Sequence, residues 1–89
     1  MTVRKRVRAS GLVQGVFFRD STRRAALGRG VAGWARNCAD GSVEAVFEGD
    51  PDDVAAMVGL VRAGPGHASV RDLDVTDEDP QGLRGFEIR

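Results

Sequence analysis

The chain has one cysteine, no tyrosine, three prolines and no excess of either charge among its 89 residues. The lone cysteine and the balanced charge each remove a class of protein. A lone thiol, Cys38, rules out an internal disulfide framework and a cysteine-rich metal site, and it suits a reducing compartment. Thirteen basic residues balance thirteen acidic ones, so the bulk charge draws the molecule toward neither nucleic acid nor an anionic membrane. No apolar run approaches a membrane span or the core of a signal peptide, and strand-like sequence follows Met1 directly, which predicts a soluble cytoplasmic protein. Internal repeats, low-complexity tracts and linkers are absent. Residues 1–89 are expected to form a single domain with a modest core and a thin margin of stability.

Several stretches have clear periodicity. From Val3 to Val13 the positions Val3, Val7, Ala9 and Val13 are apolar while Arg4, Arg6, Arg8 and Ser10 are polar, the alternation of a half-buried strand, with Lys5 the one misfit. Asp20 to Arg29 is expected to be helical and to stop at Gly30. Residues 31 to 49 suggest two strands joined at Asp40-Gly41, with Val43, Ala45 and Phe47 on one face. The strongest helix signal follows: Asp50 as N-cap, Pro51 at the first helical position, the stripe Val54, Met57, Val58, Val61, and Gly64 just past the end. Val70, Leu73 and Val75 predict a strand whose alternation slips at a bulge, and Phe86 with Ile88 a short last strand. The order is β-α-β-β-α-β with an added terminal strand. Right-handed crossovers put both helices on one face of a mostly antiparallel sheet, a ferredoxin-like α/β sandwich.

Between the first strand and the first helix lies GLVQGVFFR, residues 11 to 19. Gly15 removes a side chain from the middle of the turn, the amides of residues 15 to 19 can converge at a helix N-terminus, and Arg19 adds a planar fork suited to two phosphate oxygens. Such a turn is an anion cradle. Of Phe17 and Phe18 beside it, at least one is expected to fill the core. By itself a glycine-bearing strand-to-helix turn is a weak signal, because many folds use glycine only to reverse the chain.

The stretch resembles the signature G-x-V-Q-G-V-x-F-R of the acylphosphatase family, matched at Gly11, Val13, Gln14, Gly15, Val16, Phe18 and Arg19. A second family motif is similar to Gly33-Trp34-Ala35-Arg36-Asn37 followed by Asp40-Gly41, Val43 and Gly49. The likeness extends through Gly64-Pro65, Ala68-x-Val70 and the closing Phe86-x-Ile88-Arg89, with Gly66 standing where many members carry a second proline. This resemblance implies hydrolysis of the carboxyl–phosphate anhydride of a small-molecule acyl phosphate, with no cofactor and no metal. It further implies that Arg19 and Asn37 are catalytic and that Gln14, Gly15, Val16, Phe17, Phe18 and Arg19 hold the phosphate. Asn37 would orient the attacking water, since an amide both donates and accepts.

Blander readings stand beside these. On spacing alone Asn37 fits a hairpin cap. His67, in a Gly-Pro-Gly loop, reads as part of a surface connector rather than a general base, and Cys38 as an inert thiol rather than a nucleophile. Asp72, Asp74, Asp77, Glu78 and Asp79 lack clear metal-ligand spacing and read as a solvated acidic edge, balancing a solvated basic face made by Arg4, Lys5, Arg6 and Arg8. RNA recognition is disfavoured because Ser42 to Glu48 offers only Phe47, on the expected core face. A non-catalytic phosphate-binding module is the better rival. The expected state is a monomer, with the sheet edges its uncertain element.

Overall fold

In the computed structural model, which describes residues 1–89, the N-terminal alternation becomes strand β1, Val3–Leu12. Helix α1 (Phe18–Arg29), strands β2 (Ala32–Asn37) and β3 (Val43–Gly49), helix α2 (Pro51–Ala63), and strands β4 (Ser69–Glu78) and β5 (Phe86–Ile88) follow. The five strands form one sheet in the order β4-β1-β3-β2-β5, antiparallel except where β5 runs parallel to β2. Helix α1 packs over β2 and β5, and α2 over β1, β3 and β4. The ferredoxin-like sandwich with a short added strand is therefore the observed fold.

Burial follows the periodicities. Val7, Ala9 and Val13 of the first segment meet Val43, Ala45 and Phe47 of β3 and the stripe Val54, Met57 and Val61 of α2, with Val58 half-buried at its margin. Phe47 stacks on Phe86 at 6.0 Å between ring centroids, which seats the short β5 against the centre of the sheet. Gly30 and Gly64, both at positive φ, end the two helices as expected, each amide turning back to carbonyls of the last turn. The anticipated slip in β4 is real: Ser10 faces Asp72 and Gly11 faces Val70, so Arg71 is the extra residue of a bulge.

One boundary, one cap and one surface differ from expectation. Helix α1 starts at Phe18 rather than Asp20, because Phe17 takes the N-cap in the left-handed region, φ 62. Asp50 occupies the N-cap of α2, but its side chain makes no capping hydrogen bond. The basic face of β1 is not uniformly solvated. Arg4 is 3% exposed, with Nη1 2.6 Å from the Glu48 carboxylate and Nε 2.8 Å from that of Glu78. The reason is topological: β4 and β5 lie on opposite edges, so the chain between them must cross the sheet. Residues 81–83 lie across the face without helices, their three backbone amides donating to Glu48. Farther along that face Arg6 and Arg36 bind Glu44, and the guanidinium groups of Arg6 and Arg89 lie over the Trp34 ring, at 5.4 and 4.7 Å.

Candidate active site

The chain leaves β1 through buried Val13 and turns at Gly15, φ 73. Gln14 fixes this turn from one side: its Nε2 donates to the carbonyl oxygens of Cys38 at 2.8 Å and Ser42 at 2.9 Å, tying the loop to the β2–β3 hairpin. From the other side, the backbone amide of His67 donates to the Val16 carbonyl at 2.9 Å, and the Ser21 amide to the Phe17 carbonyl at 3.0 Å. With these carbonyls engaged, the amides of Gly15, Val16 and Phe17 have no backbone acceptor. Those of Phe18 and Arg19 head α1, where amides lack an intrahelical partner. A run of consecutive donors at a helix N-terminus is what an anion requires.

Arg19 sits in the first turn of α1, half-buried, with Nη1 3.3 Å from the carbonyl oxygen of Arg89. The amide of Arg89 in turn donates to the Ala35 carbonyl at 2.8 Å, so the end of β5 links Arg19 to the last residues of β2. Asn37 ends β2 at the same edge of the molecule, exposed and in register with Val43. The hairpin beyond it is capped by a different residue: Asp40 accepts the amide of Ser42 at 3.0 Å and its hydroxyl at 2.6 Å. Those bonds hold the Asp40 carboxyl below its usual range, helped by Arg8. Asn37 is thus not needed to close the turn.

Other sequence candidates separate cleanly. Phe18 is core, 2% exposed, whereas Phe17 is 67% exposed. Cys38 is half-buried and takes part through its backbone, which accepts from Gln14 and donates to Ser42 at 2.8 Å. His67 does more than connect: besides its amide bond, its ring meets that of Phe17 edge-on at 6.0 Å. Arg89 and Gly66 also meet Arg19 and the loop, although the sequence motifs assign neither a role. Gly66, φ +64, has no room for a side chain, since a Cβ would lie 2.6 Å from the Val16 carbonyl oxygen. Its only signal is the Gly-Pro-Gly composition of the loop. The largest surface depression, about 410 Å³, lies at the opposite end of the sheet beside Arg4, Pro51 and Pro80, and Arg4 is already committed to two carboxylates.

A protein-family model described as Acylphosphatase matches residues 5–88. The chain belongs to the acylphosphatase family. An acylphosphatase of Haloarcula marismortui is 52% identical over 86 residues, which are 97% of this chain and 94% of the relative. One from Rubrobacter xylanophilus is 54% identical over 89 residues, 99% of this chain and 81% of the relative. The crystal structure of acylphosphatase from Bacillus subtilis superimposes with a TM-score of 0.93 at 34% identity, covering 98% of both chains. Within this acylphosphatase fold, the loop 14–19, Arg19 and Asn37 share the end of the sheet where β1, β2 and β5 terminate.

Proposed function

We propose that the chain hydrolyses the carboxyl–phosphate bond of small-molecule acyl phosphates, releasing a carboxylate and inorganic phosphate. The phosphate rests on the loop Gln14, Gly15, Val16, Phe17, Phe18 and Arg19, and Asn37 orients the attacking water. One observation carries this reading: Gln14 clamps the loop, whose amides at Gly15, Val16 and Phe17 have no backbone acceptor, to the carbonyls of Ser42 and of Cys38, the residue next to Asn37. Membership of the acylphosphatase family agrees with it.

The chemistry suits so sparse an inventory. A leaving carboxylate has a conjugate-acid pKa of roughly 4, so it departs without a general acid. Phosphoryl transfer through a loose transition state needs charge stabilisation and alignment, which the amides and the Arg19 fork supply without a metal. Asparagine is too weak a base to deprotonate water, and the resemblance to the family implies that the bound phosphate takes the proton as the phosphorus–oxygen bond to the acyl group breaks. One chain supplies loop, arginine and asparagine, so a monomer suffices for this site, and a free Cys38 suits a reducing compartment such as the cytoplasm.

The test is release of carboxylate from benzoyl phosphate by purified protein after exhaustive chelation, with inorganic phosphate as inhibitor. Full activity and competitive inhibition are expected. Activity that disappears on chelation and returns with Mg²⁺ or Zn²⁺ would refute metal independence. A purely non-competitive pattern would place phosphate elsewhere, and binding without turnover would favour the non-catalytic module.

A further inference from the structure

Phe17 breaks two local rules at once. It is the one non-glycine residue of the chain at positive φ, and its ring is 67% exposed. A bulky aromatic in the left-handed region is a true outlier, and such strain persists where the surroundings hold it, typically at ligand clamps. Neither backbone nor core asks for this side chain. An asparagine or glycine tolerates the conformation better, a serine or aspartate caps a helix better, and Phe18 already fills the interior. The ring is instead steadied on the surface, edge-on to His67 at 6.0 Å and 69°, while the His67 amide anchors the adjoining Val16 carbonyl.

We infer that Phe17 and His67 form the subsite for the acyl group, and that it selects flat, apolar acyl phosphates, aryl above short alkyl. This rests on the proposed role of the 14–19 loop as phosphate cradle. Because the Phe17 amide belongs to that cradle, its ring stands one side chain away from a bound phosphate. The direction follows from in-line displacement, in which the attacking and leaving oxygens lie on opposite sides of phosphorus. Water held by Asn37 attacks from the Gln14 side of the loop, which is bonded to the hairpin. The acyl carboxylate then leaves toward the other side, where Val16 and Phe17 meet His67. An acyl phosphate is charged at one end only, and the free apolar face of Phe17 matches its other end.

The experiment is the ratio of kcat/KM for benzoyl phosphate to that for acetyl phosphate, in wild type, Phe17→Ala and His67→Ala. Leaving-group reactivity, and any disturbance of the cradle common to both substrates, cancels when the ratio is compared between wild type and variants, so the change in ratio reports the acyl contact. Wild type should favour benzoyl phosphate, and Phe17→Ala should lower the ratio by about tenfold, the scale of one lost aromatic contact. His67→Ala, which keeps the backbone bond to Val16, should lower it by about threefold through loss of the edge-on support. A wild-type ratio near one, or a ratio unchanged in both variants, overturns the acyl subsite alone provided that phosphate still inhibits competitively. Non-competitive phosphate inhibition overturns the cradle and the subsite together.

Discussion

A group that orients water matters to the chemical step, and a group that holds phosphate matters to binding as well. Asn37→Ala should therefore lose about a hundredfold in turnover, or ~3 kcal/mol of barrier, by analogy with removing one oxyanion donor, yet still bind phosphate. Asn37→Asp should lose binding too, because it sets a carboxylate beside a phosphate dianion. Arg19→Lys keeps the charge but replaces a fork with a flexible point donor, so most turnover should vanish and phosphate affinity weaken. Single-turnover rates and calorimetric phosphate titration separate these outcomes; a folded Asn37→Ala that loses binding in step with turnover makes Asn37 a phosphate ligand instead. What was legible in the sequence is the pair of long motifs that nominate Arg19 and Asn37, whose roles are proposed above. What Gln14 does was not, since its acceptors lie 24 and 28 residues away and no local pattern announces a bond across that separation.

Among the elements, the short loop between α2 and β4 acts as the back wall of the cradle. Gly66→Ala would force a Cβ to 2.6 Å from the Val16 carbonyl oxygen and 2.9 Å from that of Phe17, at a positive φ that alanine resists. Gly15→Ala has a similar φ, +73, but nothing within 4 Å of the added methyl. The pair isolates sterics from conformational preference. Gly15→Ala should lose about 1 kcal/mol in urea unfolding and Gly66→Ala about 3 kcal/mol, with a fall in kcat/KM as Val16 and Phe17 are displaced. Equal losses would mean that the loop yields and does not shape the site. Most elements could be read from sequence: alternation marked β1, Gly30 and Gly64 marked two helix ends, and the broken alternation after Val70 marked the bulge at Arg71. The start of α1 could not, because phenylalanine is not among the residues that favour an N-cap, and its neighbour His67 lies 50 residues away in the sequence.

At the scale of the whole molecule, the link from β4 to β5 has to cross the sheet, and Glu48 is the group that fastens it. Alternation along β1 shows which residues leave the core face but not which of them the returning chain covers, so Arg4 looked solvated and is buried. Burial alone would push the Glu48 carboxyl up, but the Arg4 guanidinium and the amides of Gln81 and Leu83 outweigh it and hold it below the ordinary value. Glu44, for which burial is again outweighed, by Arg36 and Arg6, and Glu78, beside Arg6 and Arg4, are lowered as well. Depressed carboxyls bind fewer protons folded than unfolded. Their contribution to stability is complete above the unfolded value of about 4.3 and is lost as pH falls through the lower folded values. The melting temperature should thus hold steady from neutrality to about pH 5 and drop steeply below about pH 4. Glu48→Gln leaves Arg4 buried with one carboxylate partner in place of two, and should cost about 3 kcal/mol at pH 7. Its acid slope should also be shallower than that of wild type, because one of the titrating groups responsible for it is gone. Thermal melts of both proteins from pH 3 to 7 decide the matter: parallel curves would show that Glu48 does not titrate as folding is lost, and that the acid sensitivity belongs to other carboxylates.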